Sequence, residues 1–272
     1  MMISFDGRKY SDEKLLVLKK QVDNLKARGI NLKLASIYVS TDPGSVLYTK
    51  LKKSKAESIG IAFVAYEMDN IDKEGVIEVI TRLNGDEGTT GILVQKPSGD
   101  KQYDKESWAE IVSVIDPAKD VDGLTPHNLG LLSMGTPKFI PATVKAVMSV
   151  LASWQIELAG KNIVIIGASE ILGKPLTMLM TQMDATVSLL HSKTENIKKY
   201  TLNCDILISA TGVPNLITQD MVRHGSIMID VGAPRGDIDK ATYQKAAYVS
   251  GVPGGVGPVT IVSLLENLVV FK

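Results

Sequence analysis

Asn162-Ile163-Val164-Ile165-Ile166-Gly167-Ala168-Ser169-Glu170-Ile171-Leu172-Gly173-Lys174-Pro175 is the stretch on which the fold turns. A short run rich in β-branched residues enters a group of small residues and then a helical pattern. Pro175 is tolerated early in that helix, where its missing N–H is no loss. Small residues stand where the chain must turn tightly and bring backbone N–H groups toward an anion. The segment therefore reads as the first turn of a Rossmann-type nucleotide domain, with Ser169 in the middle glycine position. Its Gly-x-Ser-x-x-x-Gly spacing departs from the Gly-x-Gly-x-x-Gly fingerprint, and from spacing alone an ordinary strand–helix turn is about as good a reading.

Context tips the balance. A site for NAD carries an acidic residue about 20 positions beyond the glycines, to bind the ribose hydroxyls. Here the next strand ends in His191-Ser192-Lys193-Thr194. Two hydroxyls and a cation suit a 2′-phosphate better than a bare diol, so NADP is expected, with NAD as the alternative.

Working outward, apolar runs alternate with amphipathic stretches, the pattern of an α/β protein with largely parallel sheets, and the alternation occurs twice. Strands are expected at Asn162–Ile166, Thr186–Leu190, Asp205–Ala210 and Ser226–Asp230, with a helix at Lys174–Met183. The first half offers strands at Ala35–Ser40, Ala62–Met68 and Gly91–Gln95, and helices at Ser45–Ile59, Lys73–Leu83 and Ser107–Ile115. The weakly periodic section between Asp116 and Thr143 joins the halves. This gives an N-terminal α/β domain over residues 1–120 and a Rossmann-type domain over 121–252. An apolar helix at Thr260–Phe271, within residues 253–272, returns to the first domain.

The 272 residues are 44% hydrophobic and 22% charged, enough apolar surface for two cores. Thirty basic residues balance thirty acidic ones, so no positive field gathers nucleic acid or anionic membrane, and small molecules are the expected partners. No apolar run reaches the roughly 18 residues of a membrane span, and the start lacks the order of a secretory signal. Cys204 is the single cysteine, which excludes an intramolecular disulfide and cysteine-rich metal sites. A reducing cytoplasm and no metal are expected.

On the helix read at Ser45–Ile59, Ser45, Tyr48 and Lys52 lie at i, i+3 and i+7, on one stripe. A lysine acts as acid or base only where desolvation or cations lower its pKa. With Lys50, Lys53 and Lys55 beside it, the commoner meaning of this pattern is a solvated face.

Together with the nucleotide turn and His191–Thr194, five further segments match one family in order and over nearly the whole chain. They are Asp42-Pro43-Gly44-Ser45 leading to Tyr48-x-x-x-Lys52, then Gly91 to Pro97, then Lys119-Asp120-Val121-Asp122-Gly123-Leu124. Ile229-Asp230-Val231-Gly232 and Pro253-Gly254-Gly255-Val256-Gly257-Pro258 follow the nucleotide turn and His191–Thr194. The chain resembles the bifunctional methylenetetrahydrofolate dehydrogenase/cyclohydrolase family. The resemblance implies oxidation of 5,10-methylenetetrahydrofolate with NADP, hydrolysis of the methenyl product to 10-formyltetrahydrofolate, and a homodimer.

Carried over by resemblance, Lys52 is the acid/base of the water step, Gln95 orients it, Tyr48 stacks on the folate rings and Asp120 accepts from the pterin. Val94, Lys96, Pro253, Gly254, Gly255, Val256 and Gly257 complete the expected substrate site. Gly167, Ala168, Ser169, Gly173, Ser192, Lys193, Thr194, Thr211, Gly212 and Ala233 form the expected cofactor site. For Asp120 and Asp122 the alternative is a turn held by Asx hydrogen bonds, one of the two doing only that.

The chain departs from the family pattern at ligand positions. Ala168 stands where an arginine usually grips the 2′-phosphate, and Lys96 follows Gln95 in place of leucine. Pointing inward, Lys96 would lower the Lys52 pKa further. Ala233-Pro234 follows Asp-Val-Gly, and Ser250-Gly251-Val252 replaces Thr-Pro-Val. These changes thin the cofactor site, so a cyclohydrolase with a weakened or NAD-dependent dehydrogenase step is one alternative. Others are a dehydrogenase of another small substrate, such as shikimate or an amino acid, and a non-catalytic ligand sensor.

Overall fold

The apolar runs bounded by turn residues become parallel strands in the computed structural model, which describes residues 2–97 and 103–270. The chain divides into two compact units. One comprises Asp12–Leu131, Pro137–Ala142 and Ile261–Lys272; the other comprises Met1–Ser11, Leu132–Thr136 and Thr143–Thr260.

In chain order the elements are β1 (Ile3–Ser4), α1 (Gly7–Ala27), β2 (Lys33–Val39), α2 (Pro43–Ser58), β3 (Ala62–Met68), α3 (Lys73–Gly85), β4 (Gly91–Val94) and α4 (Lys105–Val114). There follow α5 (Pro126–Ser133), α6 (Ala142–Ser153), β5 (Asn162–Ile166), α7 (Gly173–Thr181), β6 (Thr186–Leu190), α8 (Ile197–Thr201), β7 (Ile206–Ser209), β8 (Ser226–Asp230), β9 (Ala246–Ser250) and α9 (Val256–Val270).

The first unit carries a parallel three-stranded sheet in the order β3-β2-β4. Central β2 is buried along nearly its whole length, whereas edge strand β3 hides little beyond Phe63. The core gathers Leu15, Leu18, Val22 and Leu25 of α1 with Leu34, Leu93 and, from α9, Val262, Leu265 and Leu268. The C-terminal helix thus packs into the first core as expected, beginning at Val256 rather than Thr260; Phe271, the expected last residue, lies outside the described residues.

Residues 121–131 and 137–142 also go with this unit rather than with the nucleotide domain. Val121 is part of the core, and Asn267 Nδ2 donates to Val121 O at 2.9 Å and to Ile140 O at 2.8 Å.

The second unit holds a six-stranded parallel sheet in the order β1-β9-β8-β7-β5-β6. β5 and β7 are buried on both faces, as central strands covered by helices must be. Successive strands lie to opposite sides of β5, so the strand order reverses between β5 and β7. Ligands of open α/β sheets bind at such a switch point, outside the carboxyl ends of the strands. Residues 1–11 belong here because Ile3 pairs with Tyr248 and Gly7 N donates to Gly254 O at 2.8 Å.

Candidate active site

Asp42 begins α2. Its Oδ2 accepts from Ser45 N at 3.0 Å and from the Ser45 hydroxyl, a helix cap worth about 1 kcal/mol. The capped helix buries Ser45, Thr49, Lys52 and Ala56 along one stripe. Its lysines then separate. Lys50 and Lys53 are exposed and Lys55 pairs with Asp12 at 2.9 Å, but Lys52 is only 7% exposed. A solvated face does not bury an ammonium.

Lys52 Nζ donates to Gln95 Oε1 at 2.6 Å. Gln95 follows β4 directly and is anchored by its N–H to Ile37 O at 2.8 Å, so the sheet fixes the lysine's partner. Burial pulls the Lys52 pKa below its ordinary value, with the Asp122 carboxylate opposing. Burial pushes the Asp122 carboxyl up, with Lys52 pulling the other way and Asp120 adding to the rise. Desolvation favours the neutral amine, which can accept a proton as an exposed, protonated lysine cannot. Tyr48, one turn before Lys52, is half-buried.

Asp120 has a different environment from the one expected. Its Oδ1 accepts from Gly123 N at 2.9 Å, and its Oδ2 accepts from Thr125 N at 2.8 Å and Asn128 Nδ2 at 2.9 Å. The residue is 1% exposed, and its carboxylate is spent on the turn. Asp122, half-buried and electrostatically coupled to Lys52, is the acid of this loop turned to the site. The alternation Asp-x-Asp contains both, but only their hydrogen bonds tell them apart.

Val94 is buried at the end of β4. The Lys96 ammonium lies over the Trp108 ring, 5.0 Å from the centroid, and Asp122 is the charge that bears on the Lys52 pKa.

The remaining expected residues lie in the six-stranded unit. Gly167 follows β5 with φ +114°, and a Cβ there would sit 2.3 Å from the O of Ala210, the residue after β7. A Cβ on Gly173, the first residue of α7, would meet Gly167 O at 1.8 Å. Both positions thus require glycine, and the turn over Ala168 and Ser169 is drawn in against the helix N-terminus. Ser169 Oγ accepts from Leu172 N at 3.2 Å. This cradle at the switch point fits a dinucleotide phosphate.

After β6, Thr194 closes the turn by accepting from His191 N at 3.0 Å through its hydroxyl, which leaves Ser192 and Lys193 exposed. After β7, Thr211 N and Oγ1 both donate to Asp237 Oδ2, at 2.6 and 2.9 Å, and Gly212 follows with φ +71°. Ala233 follows Gly232 in the exit from β8.

Pro253, Gly254, Gly255, Val256 and Gly257 enter α9, and Gly254 has φ +99°. A Cβ on Gly255 would lie 2.5 Å from both Gly251 O and Ser250 Oγ. No motif singles out Asp237, or Gly7, where a Cβ would meet Gly255 O at 1.9 Å. Both depend on contacts between distant segments.

Residues 5–122 match the family described as tetrahydrofolate dehydrogenase/cyclohydrolase, catalytic domain, and residues 141–272 match its NAD(P)-binding domain. The "Bifunctional protein FolD" of Nautilia profundicola is 40% identical over 277 aligned residues, covering 98% of this chain and 96% of that protein.

Among solved structures, the bifunctional FolD methylenetetrahydrofolate dehydrogenase/cyclohydrolase of Campylobacter jejuni is similar with a TM-score of 0.93 at 39% identity, over 100% of this chain and 98% of that one. The Trypanosoma brucei methylenetetrahydrofolate dehydrogenase-cyclohydrolase, complexed with NADP and an inhibitor, is similar with a TM-score of 0.92 at 33% identity, over 99% and 97%.

Proposed function

The chain belongs to the tetrahydrofolate dehydrogenase/cyclohydrolase family, and on that footing we propose that it oxidises 5,10-methylenetetrahydrofolate with NADP and hydrolyses the methenyl product to 10-formyltetrahydrofolate. The observation that carries the hydrolytic half is the buried Lys52 amine on Gln95, with its pKa lowered by desolvation.

A methenyl cation bound beside Lys52 disfavours the ammonium further, so substrate binding itself helps to free the amine. Neutral Lys52 then accepts a proton as water adds to the methenyl carbon. The same nitrogen returns a proton to the ring nitrogen released as the C–N bond breaks, while the new hydroxyl loses its proton to solvent and becomes the formyl carbonyl. Gln95 Oε1 holds Lys52 in line, Tyr48 offers its ring face to the folate, and Asp122 takes the pterin-binding role in place of Asp120.

Val94, Lys96 and Pro253 to Gly257 are assigned as further substrate contacts. NADP, when bound, supplies the hydride acceptor. Gly167, Ala168, Ser169 and Gly173 would hold its phosphates, Ser192, Lys193 and Thr194 its 2′-phosphate, and Thr211, Gly212 and Ala233 the remainder.

The same proposal includes a homodimer and a cytoplasmic setting. Support for the first is edge strand β6, whose free side leaves backbone groups for a partner. Support for the second is the single cysteine, Cys204, which leaves the chain no intramolecular disulfide to form.

The test is paired assays on the purified chain. Lys52→Met is expected to lower hydrolysis of the methenyl substrate at least about 100-fold while NADP still binds. Initial rates with NADP and NAD side by side measure what Ala168 costs. Absence of both reactions in the unaltered chain would overturn the proposal.

A further inference from the structure

Two aspartates, buried with no ion pair among the described residues, stand behind the cofactor loops. Asp230 ends β8 and Asp237 follows seven residues later; both are 0% exposed. Asp230 Oδ1 accepts from Gly232 N and Asp237 N, each at 3.0 Å, and its Oδ2 accepts from Ile238 N at 3.0 Å and Tyr243 OH at 3.1 Å. These bonds wind the chain after β8 around the Asp230 carboxylate. Gly236 is needed to let it pass, since a Cβ there would lie 2.4 Å from Asp230 Oδ2.

Asp237 reaches the other way. Its Oδ2 accepts from Ser209 Oγ at 2.8 Å, Thr211 N at 2.6 Å and Thr211 Oγ1 at 2.9 Å, all at the carboxyl end of β7. Its Oδ1 is buried without a hydrogen-bond partner among the described residues and presses on Gly232, where a Cβ would come within 2.3 Å. The two segments are also zipped by backbone, Ile217 N to Asp237 O at 3.0 Å and Asp239 N to Ile217 O at 2.9 Å.

We infer that Asp237 is a positioning residue for the dinucleotide: one carboxylate fastens the loop after β7, at Thr211 and Gly212, to the loop after β8, at Gly232 and Ala233. The inference rests on the function proposed above. Both loops sit at the carboxyl ends of neighbouring parallel strands beside the switch point, where a nucleotide binds. Gly167 joins the same row through its contact with Ala210 O. A buried carboxylate persists only where its hydrogen bonds meet the cost of desolvation, and here three donors on one oxygen do so. A ligand meeting a Thr211 loop already held in place loses less freedom on binding.

The experiment measures the NADP Kd by titration calorimetry, and both activities, on the full chain carrying Asp237→Asn, Ser209→Ala, or both. Asparagine keeps the shape and one acceptor but removes the charge. Its expected effect is a rise in NADP Kd of about tenfold, with hydrolysis of the methenyl substrate within about twofold of the unaltered chain. Ser209→Ala is expected to raise Kd about threefold and to add less than its own effect to Asp237→Asn, because both act through one carboxylate.

An unchanged Kd in either single variant overturns the inference. So does a parallel fall in hydrolysis and NADP affinity in a variant whose thermal unfolding shows it to be folded. If Asp237→Asn does not fold, Ser209→Ala decides alone. Failure of the proposed function would appear instead as absent turnover in the unaltered chain, whatever the Kd values.

Discussion

At the scale of single residues, four lysines in six positions carry no information about which is buried, yet one of them differs in kind from the rest. Lys52 pays for its placement in stability. Its pKa is lowered from 10.5 in the folded protein, so between the two values the unfolded chain binds more protons. Stability is therefore greatest above about 10.5, falls as pH drops toward the folded-state pKa, and stays at the lower level below it. Lys52→Met removes this deficit and is expected to be more stable than the unaltered chain at neutral pH, by about 2–4 °C in Tm per kcal/mol regained. The gain should shrink toward pH 10. Scanning calorimetry at pH 6, 8 and 10 checks it, and a gain independent of pH would refute the assignment. Asp120 and Asp122 teach the complementary lesson. Two identical acids separated by one valine are indistinguishable as letters, and the donors Gly123, Thr125 and Asn128 are what commit the first to the turn.

At the scale of elements, strands were more legible than helices. The bounds expected for β3, β5, β6 and β8 match the observed ones, because apolar runs cut off by Gly, Asp or Asn leave little choice of end. The 21-residue α1 was not expected, although Leu15, Leu18, Val22 and Leu25 repeat with helical spacing. Its charged residues hide the stripe, α5 lies inside the weakly periodic section between Asp116 and Thr143, and α6 and β9 lie in stretches with no expected element. The β5–α7 turn is the element with the sharpest expectation. Gly167→Ala puts a Cβ on a residue at φ +114° and 2.3 Å from Ala210 O, so a loss of roughly 2 kcal/mol or more is expected in the six-stranded unit, with NADP binding abolished. Thermal unfolding with and without NADP measures both, and retention of NADP affinity would contradict the cradle.

For the molecule as a whole, the two compact units divide the candidate site residues between them. Tyr48, Lys52, Gln95, Lys96 and Asp122 belong to the three-stranded unit, and the nucleotide turn, His191–Thr194, Thr211 and Asp237 to the six-stranded one. NADP at 100 times its Kd should stabilise the folded chain by about 2.7 kcal/mol. Hydrogen exchange should slow at residues 167–173, 191–194 and 209–213, and unchanged exchange there would place the cofactor elsewhere. The sequence by itself determined the fold class, the chain order of strands β2 to β8, the nucleotide turn and, through its resemblance to a family, the choice of Lys52 and Gln95 as site residues. These are properties of local pattern: apolar period, turn residues and motif spacing survive in the string of letters. Only the tertiary structure decided which lysine is desolvated, which aspartate is spent on a turn, where Lys96 points, and that Asp237 joins two loops. Those outcomes depend on burial and on donors brought from 28 residues away in the case of Ser209 and Asp237, and 43 in that of Lys52 and Gln95, and a linear sequence records neither.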